Sequence, residues 1–473
     1  MAIAVAVLLV LWVVPASASA LGDPTVAGWV TSADRGRLLA PVPGLVRSRP
    51  GVRPAGTMSV ALNPARRFQS IAGFGASLTE SSAWLINTRL TPGARARLLE
   101  DLFDPVSGAG ISYLRQPIGA SDFALDDYTY DDQPAGRVDP ALTEFSMRRD
   151  QTQVFPLLAQ AQAVNPELRV MVSPWSPPGW MRSGDGVTAE AGRLRPEFYP
   201  AYAEYLTRVV ATYRDAGLPV DAVTMQNEPA GSPPGYPAMD MSAAEQAAFA
   251  PVLAAALGRA GLSPRVLALD HNWDRVDKAR AVLANPKAAA VLGGVAFHCY
   301  GGDPAEESQL PAGTAVYVSE CSGGDWSPDF GASLHFAAHS LIIGALGGGA
   351  RTLIFWNVAL DPEHGPHHGG CAECRGVVTI DPATGKVTRN VEYYLLGQLA
   401  RVVRPGAIRV ATTSSDPSAI EAVGFANVNR TLAAVVYNRS GADQPVVLGT
   451  GRSQVSTTVP ARSLASYSWT DLP

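Results

Sequence analysis

Two glutamates stand at the ends of apolar runs in this sequence. Glu228 closes the run AVTMQNE (222–228), and Glu320 lies near the end of AVYVSEC (315–321). A carboxylate at the end of an apolar run either forms an ion pair with an arginine or takes part in catalysis. Hydrolysis of a glycosidic bond requires two carboxyl groups across one cleft, because one protonates the leaving oxygen while the other attacks the anomeric carbon or activates water against it. The pair therefore predicts a site that cleaves glycosides.

Side chains near the two glutamates suit a sugar. The amide of Asn227 is placed to bond a sugar 2-hydroxyl. The faces of Trp175 and Trp356 suit the apolar C–H face of a sugar ring, and plain core packing is the alternative for both. These residue types favour carbohydrate as the substrate class.

Charged and hydroxyl groups in the same pattern predict how the carboxyl groups ionise. We expect Tyr300 to hydrogen-bond the nucleophilic carboxylate, and Arg115 to lower the pKa of a neighbouring carboxylate. Glu228, by contrast, should have a raised pKa so that it is protonated near neutral pH.

Eight strand-like runs alternate with helical stretches between residues 66 and 402. Such alternation predicts a parallel sheet, and eight units predict a (β/α)8 barrel. The crossover between the sixth and seventh runs has only 14 residues, which is tight for a full helix. The eight runs are residues 70–77, 111–119, 169–175, 222–228, 265–270, 294–300, 315–321 and 352–360.

A barrel of this kind places its active site at the carboxyl ends of its strands. The polar and aromatic residues of this chain cluster at those ends, so we expect them to line one cleft. The predicted cleft residues are Arg115, Trp175, Asn227, Glu228, His298, Tyr300, Glu320, Trp356 and Asn357.

The pattern changes after about residue 403. Six short runs alternate with turn residues and show no helical period, which predicts a β-sandwich. Residues 25–65 are also extended in pattern and are expected to add strands to that sandwich. The predicted organisation is a signal peptide (1–20), N-terminal strands (21–65), the barrel (66–402) and the C-terminal sandwich (403–473).

Composition and the N-terminus indicate an exported globular protein. Apolar residues make up 47% of the 473 residues and the formal net charge is −5, which argues against disorder and against a nucleic-acid binder. Residues 2–14 are apolar but too few for a stable membrane span, which needs ~20 residues. The pattern Ala18-x-Ala20 suits cleavage before Leu21, although Met1 is followed by no basic residue and a buried N-terminal helix is the alternative.

Four cysteines leave several interpretations open. The segment HGPHHGGCAEC (364–374) has the CxxC spacing and nearby histidines of a zinc site, with a local disulfide or free thiols as the alternatives. Cys299 and Cys321 each follow a predicted cleft residue and are interpreted as small buried residues. No metal and no cofactor is expected in the predicted reaction, since two carboxyl groups suffice.

Seven segments together resemble glycoside hydrolase family 30, the family that holds the lysosomal glucosylceramidase. They are GFGASLTESSAWLI (73–86), LRQPIGASDFALDDYTYDD (114–132), SPWSPPGWMR (173–182), VTMQNEPAG (223–231), HCYGG (298–302), VSECSGG (318–324) and FWNVALDPEHGP (355–366). The resemblance implies a barrel with a side β-sandwich, and a retaining mechanism with Glu228 as acid/base and Glu320 as nucleophile. It also implies sugar contacts from Glu80, Trp175, Asn227 and Trp356, with Tyr300 beside the nucleophile.

The combined expectation is a secreted retaining β-glycosidase that cleaves β-glucosidic bonds and is glucosylceramidase-like. An endo-β-1,6-glucanase or a β-xylosidase of the same family is the alternative within enzymes. A carbohydrate-binding protein that has lost catalysis is the alternative outside them, and the presence of both Glu228 and Glu320 argues against it. The expected partner is a carbohydrate, whether a β-glucoside, a glycolipid or a β-glucan.

Overall fold

The computed structural model describes residues 26–184, 186–188, 192–229 and 235–471. The predicted signal peptide (1–20) lies outside these residues. Eight parallel strands close into a barrel in chain order, and each coincides with one of the eight predicted runs. The predicted (β/α)8 barrel is therefore confirmed. Its strands are β1 (Gly73–Ser77), β2 (Tyr113–Ile118), β3 (Arg169–Pro174), β4 (Val220–Thr224), β5 (Arg265–Asn272), β6 (Leu292–His298), β7 (Val316–Glu320) and β8 (Ala350–Asn357).

Helices cover the outside of the barrel. The crossover from β6 to β7 holds only a 3-10 helix, Pro304–Gln309, as its length requires, and a π-helix, Ala337–Leu346, precedes β8. The other 3-10 helices are Gly179–Met181, Pro196–Phe198 and Trp273–Arg275. The α-helices are α1 (Glu80–Arg89), α2 (Pro92–Phe103), α3 (Arg148–Gln153), α4 (Phe155–Val164), α5 (Tyr199–Asp215), α6 (Ala243–Arg259), α7 (Val276–Leu283), α8 (Pro286–Ala289), α9 (Phe330–Phe336) and α10 (Val391–Ala400).

Local sequence explains where these elements begin. Ser242 and Glu245 form a capping box at the start of α6, in which each side chain bonds the other residue's backbone N–H.

In β1, a Cβ atom on Gly75 would lie 1.9 Å from the backbone oxygen of Tyr113, so only glycine lets β1 and β2 approach this closely.

The second lobe is a ten-stranded sheet built from both ends of the described chain. The N-terminal strand Val26–Ser32 pairs antiparallel with the last strand, Ser463–Thr470, and Met58–Ser70 pairs with Ile408–Ser414. The remaining strands are Ala40–Pro41, Arg47–Ser48, Ile420–Ala426, Thr431–Asn438, Gln444–Gly449 and Gln454–Val459. All six predicted C-terminal strands are present, and the N-terminal strands join them as expected.

Short strands order the loops that follow β7 and β8. Gly323–Gly324 pairs with Cys374–Arg375, which ties the two loops together. Ala359–Leu360, Val378–Ile380 and Val387–Arg389 form a separate three-stranded sheet.

An apolar layer closes the barrel interior. It is made by one side chain from each of several strands, among them Tyr113, Met171, Leu267, Tyr317 and Ile354. Because apolar side chains fill this part of the barrel, the polar strand ends at the mouth are where we expect a site. In the described part of the chain, no helix is both long and apolar enough to span a bilayer.

Candidate active site

The two glutamates meet at the mouth of the barrel. Glu320 is the last residue of β7, and Glu228 lies four residues beyond β4. One carboxylate oxygen of each lies within 4.8 Å of the other. The Nδ1 atom of His298 stands between them, 2.8 Å from Glu228 Oε1 and 3.8 Å from Glu320 Oε1.

Both oxygens of Glu320 are held by neighbouring donors. The Arg115 guanidinium donates from Nη1 to Oε2 over 2.6 Å, and the Tyr300 hydroxyl donates to Oε1 over 2.9 Å. These contacts bind the ionised form of the carboxyl group. They are the contacts that the sequence predicted for Arg115 and Tyr300.

Arg115 is fully buried on β2 and joins several strand ends. Its Nη2 atom donates to the side chains of Ser173, Asn227 and Asp270 over 2.7–3.1 Å. Its guanidinium also faces the rings of Trp175 and Trp356, 4.9 and 5.6 Å from their centroids. The two tryptophan rings stack on each other at 5.1 Å. The structure thus brings these predicted cleft residues together.

Two of the predicted sugar-binding residues have their described partners outside the glutamate pair. Glu80, the first residue of α1, forms an ion pair with Arg149 and accepts the backbone N–H of Leu125. Asn357 is fully buried and accepts a hydrogen bond from Thr79 over 2.7 Å. Among the contacts described, neither residue bonds the glutamate pair, and the sugar-binding roles expected of both stay predictions.

Asp270 is a charged residue of the site that was not among the predicted cleft residues. It is fully buried near the end of β5, and His298 Nε2 lies 3.1 Å from its Oδ1 atom. Its other partners are Arg115, Ser173, Thr224 and Ser319, at 2.7–2.8 Å. A signal was present, because Asp270 ends the fifth strand-like run (265–270) just as Glu228 ends the fourth.

Asp122 was missed as well. It is buried in the segment Ser121–Phe123 after β2, where its backbone oxygen accepts the N–H of His368 over 2.7 Å. Burial, followed by the negative charges of Glu320 and Glu228, raises the pKa of Asp122 to about 8. Asp122 therefore lies within the electrostatic field of the glutamate pair, where a protonated carboxyl group can donate a hydrogen bond.

The glutamates, the stacked tryptophans and the buried arginine lie within a chain region that matches a known family. The family model for the glycosyl hydrolase family 30 TIM-barrel domain matches residues 71–402, and the model for the family 30 beta sandwich domain matches residues 406–467. The chain belongs to glycoside hydrolase family 30. It is a β-glycosidase of this family, as the resemblance predicted.

Curated relatives of this family 30 enzyme include glucanases and glucosylceramidases. Endo-1,6-beta-D-glucanase neg1 of Aspergillus fumigatus is 32% identical, and the match covers 91% of each chain. The mouse lysosomal acid glucosylceramidase is 28% identical, over 87% of this chain and 83% of the relative. Among solved structures, the endo-beta1,6-glucanase BT3312 superposes with a TM-score of 0.85 at 29% identity, covering 95% of this chain and all of the other.

The protonation pattern of this family 30 site differs from the expectation. Burial disfavours the charged form of His298, but the Glu320 charge and the bonds to Asp270 and Glu228 outweigh it and raise the pKa to about 10. The imidazole is therefore a cation at neutral pH. Burial also acts to raise the pKa of Glu228, yet the His298 cation beside it lowers that pKa below its ordinary value. The expected raised pKa of Glu228 is wrong for the free enzyme for this reason.

The pKa of Glu320 lies above its ordinary value. Burial is the main cause, and the charges of His298 and Arg115 offset it in part. Among described residues, Glu228, His298 and Glu320 are the group whose ligand atoms lie close enough for a cation. Each atom is already taken by a hydrogen-bond partner within the site, so the group fits acid–base chemistry.

Both cysteine pairs form disulfides. Cys299 bonds Cys321, which ties the ends of β6 and β7 directly beside His298 and Glu320. The interpretation of these two as merely small buried residues is therefore wrong. Cys371 bonds Cys374, so their thiols are not free to bind zinc, and the local-disulfide alternative is the one observed.

Proposed function

We propose that this family 30 enzyme is a retaining endo-β-1,6-glucanase, with Glu320 as nucleophile and Glu228 as acid/base. The observation that carries the mechanism is the separation of the two carboxylates, whose nearest ligand oxygens lie within 4.8 Å. Retaining glycosidases hold their carboxyl groups about 5 Å apart, whereas inverting enzymes leave about 6.5–9.5 Å for a water molecule.

The relatives support a glucan substrate. The fungal relatives that match at 30–32% identity are named as endo-1,6-β-glucanases, and the glucosylceramidase relatives match at 24–28%. This favours the alternative over the glucosylceramidase-like expectation. The proposal includes export through the predicted signal peptide (1–20), because a polymeric substrate is too large to enter a cell by diffusion.

The contacts in the cleft assign roles to the remaining residues. The hydrogen bonds from Arg115 and Tyr300 favour the ionised form of Glu320 against the effect of burial, so that it can attack the anomeric carbon. The side-chain oxygen of Asn227 accepts a hydrogen bond from Arg115. The amide N–H groups of Asn227 are therefore left to donate to the sugar 2-hydroxyl. The protonated Asp122 carboxyl group donates to another sugar hydroxyl. Trp175 and Trp356 stack on each other and are 2% and 3% exposed, so they offer the ring only the small apolar area that this leaves accessible.

Incubation of the wild-type enzyme with a linear β-1,6-glucan, glucosylceramide and a β-xylan tests the substrate. We expect cleavage of the glucan, with oligosaccharides of mixed length early in the reaction, because an endo-acting enzyme cuts internal bonds. Release of glucose alone would contradict endo action. Cleavage of glucosylceramide or xylan with the glucan left intact would overturn the substrate assignment.

Glu228→Gln separates the acid from the nucleophile. We expect kcat/KM for the glucan, whose sugar leaving group needs protonation, to fall by about 10²–10⁴-fold. Hydrolysis of 2,4-dinitrophenyl β-glucoside should show a normal first turnover, because that leaving group departs without a proton. Burst kinetics measures this. Full activity of the variant on the glucan would rule out Glu228 as the acid.

A further inference from the structure

The Asp270 carboxylate makes more contacts than an ordinary strand-end residue needs. Its Oδ1 atom faces His298 Nε2 at 3.1 Å and accepts from Ser319 Oγ at 2.7 Å. Its Oδ2 atom accepts from Arg115, Ser173 and Thr224 at 2.7–2.8 Å. A buried anion with this many donors is fixed in both position and charge, and its pKa lies well below the ordinary value despite burial.

Backbone strain accompanies this arrangement. Leu269 and Asp270 have φ angles of 70° and 57°, and Glu228 has a φ of 41°. Left-handed conformations in residues with a side chain cost free energy and persist where the surroundings enforce them. The N–H of Glu228 also donates to the backbone oxygen of Asp270 over 2.9 Å. The fold therefore holds Glu228 and Asp270 in one fixed relation on opposite sides of His298.

We propose that Asp270 is a positioning residue that holds His298 as an imidazolium with Nδ1–H directed at Glu228, which makes His298 the store of the proton used in catalysis. The inference rests on the proposed function, since it gives a role to the acid/base of that reaction.

The proton balance closes over one catalytic cycle. In the first step the Nδ1 proton moves to Glu228 and on to the departing glycosidic oxygen as Glu320 bonds the anomeric carbon. This leaves a neutral imidazole, an ionised Glu228 and an esterified Glu320. In the second step water attacks the anomeric carbon and the bond from that carbon to the Glu320 oxygen breaks, so Glu320 leaves as a carboxylate. The proton of the attacking water passes to Glu228 and from there returns to Nδ1. Water is the only co-reactant.

Charge in the site favours this cycle. Glu320 Oε1 lies 3.8 Å from Nδ1, so its negative charge stabilises the imidazolium in the free enzyme. Esterification of Glu320 removes this negative charge in the same step in which His298 gives up its Nδ1 proton, so the imidazolium is no longer stabilised by it. Asp270 stays ionised throughout and keeps the ring in place. The charged and titratable groups that surround His298 are Arg115 and Asp122 from β2 and its loop, Glu228 after β4, Asp270 and His271 on β5, Tyr300 after β6, and Glu320 on β7.

The test is ¹⁵N NMR of the histidine rings in the wild-type enzyme and in Asp270→Asn. In the wild type we expect His298 to show both ring nitrogens protonated at pH 7, which already tests the proposal without a variant. In Asp270→Asn we expect its pKa to fall by about one to three units, because one neighbouring anion is lost. The alkaline limb of the kcat/KM profile should move to lower pH by the same amount.

Leaving-group dependence distinguishes positioning from a general loss of structure. In Asp270→Asn the glucan rate should fall far more than the rate of glycosyl–enzyme formation from 2,4-dinitrophenyl β-glucoside, with KM little changed. Thr224→Val is the matched control, because it removes a donor from Oδ2 and leaves Oδ1 facing His298. It should keep the wild-type His298 spectrum and pH profile.

Three results would overturn the proposal. One is a neutral His298 in the wild-type enzyme at pH 7. The second is an unchanged His298 pKa in Asp270→Asn, and the third is an equal loss of rate for both leaving groups. Failure of the proposed function looks different, because an enzyme that cleaves no β-glucan would still report the protonation of His298 in the NMR spectrum.

Discussion

Glu320→Gly is expected to lower kcat on an aryl β-glucoside by about 10⁴-fold or more, and added azide is expected to restore turnover with an α-glucosyl azide as product. The loss follows because no other described residue stands at the end of β7 to form the covalent intermediate. Azide occupies the space of the missing carboxylate and attacks from the same side, so the anomeric configuration inverts once. Proton NMR of the product reads the configuration directly.

Glu228→Gly is the matched comparison for this prediction. The nucleophile is intact in that variant, so a glycosyl–enzyme forms from a substrate with a good leaving group, and azide then attacks from the opposite side. The product should be the β-glucosyl azide. If the two variants gave the reverse products, the roles of Glu228 and Glu320 would have to be exchanged.

Arg115→Met is expected to destabilise the fold by about 3–5 kcal/mol and to abolish turnover. The guanidinium is fully buried and pairs with Asp270 and Glu320 at 2.8 and 2.6 Å, and removal of one member of a buried ion pair leaves the partners as uncompensated charges. Urea unfolding followed by tryptophan fluorescence measures the first effect. Arg115→Lys should recover part of the stability and little activity, because one ammonium group cannot bridge both carboxylates in the geometry of a planar guanidinium.

Arg137→Ala supplies the control for the Arg115 variants. Arg137 lies 3.9 Å from Glu144, and both side chains are more than half exposed. Exposed ion pairs contribute about 0–1 kcal/mol, so this variant should unfold close to the wild-type midpoint. An Arg115→Met enzyme as stable as this control would show that the buried charges around Arg115 are compensated in another way.

The architecture was predictable because its signals are local. Each barrel strand is a short apolar run bounded by turn residues, and each coincides with a run seen in the sequence. A closed parallel barrel puts all its strand ends on one face, so the sequence also predicted that Glu228 and Glu320 share a cleft with Arg115 and Tyr300. The sequence also showed that the 14-residue crossover is tight for a full helix, and the structure has the 3-10 helix Pro304–Gln309 there.

What the sequence determined by itself is the order of strands, the two lobes and the chemical types at the barrel mouth. Only the tertiary structure decided which atoms pair. Asp270 reaches Arg115 and His298 from 155 and 28 residues away, and Glu80 turns to Arg149. The lowered pKa of Glu228 and the Cys299–Cys321 disulfide also depend on contacts between different strand ends. Local patterns record the period and polarity of a segment, whereas a pKa or a hydrogen bond depends on the summed burial and charge of groups brought together from distant segments.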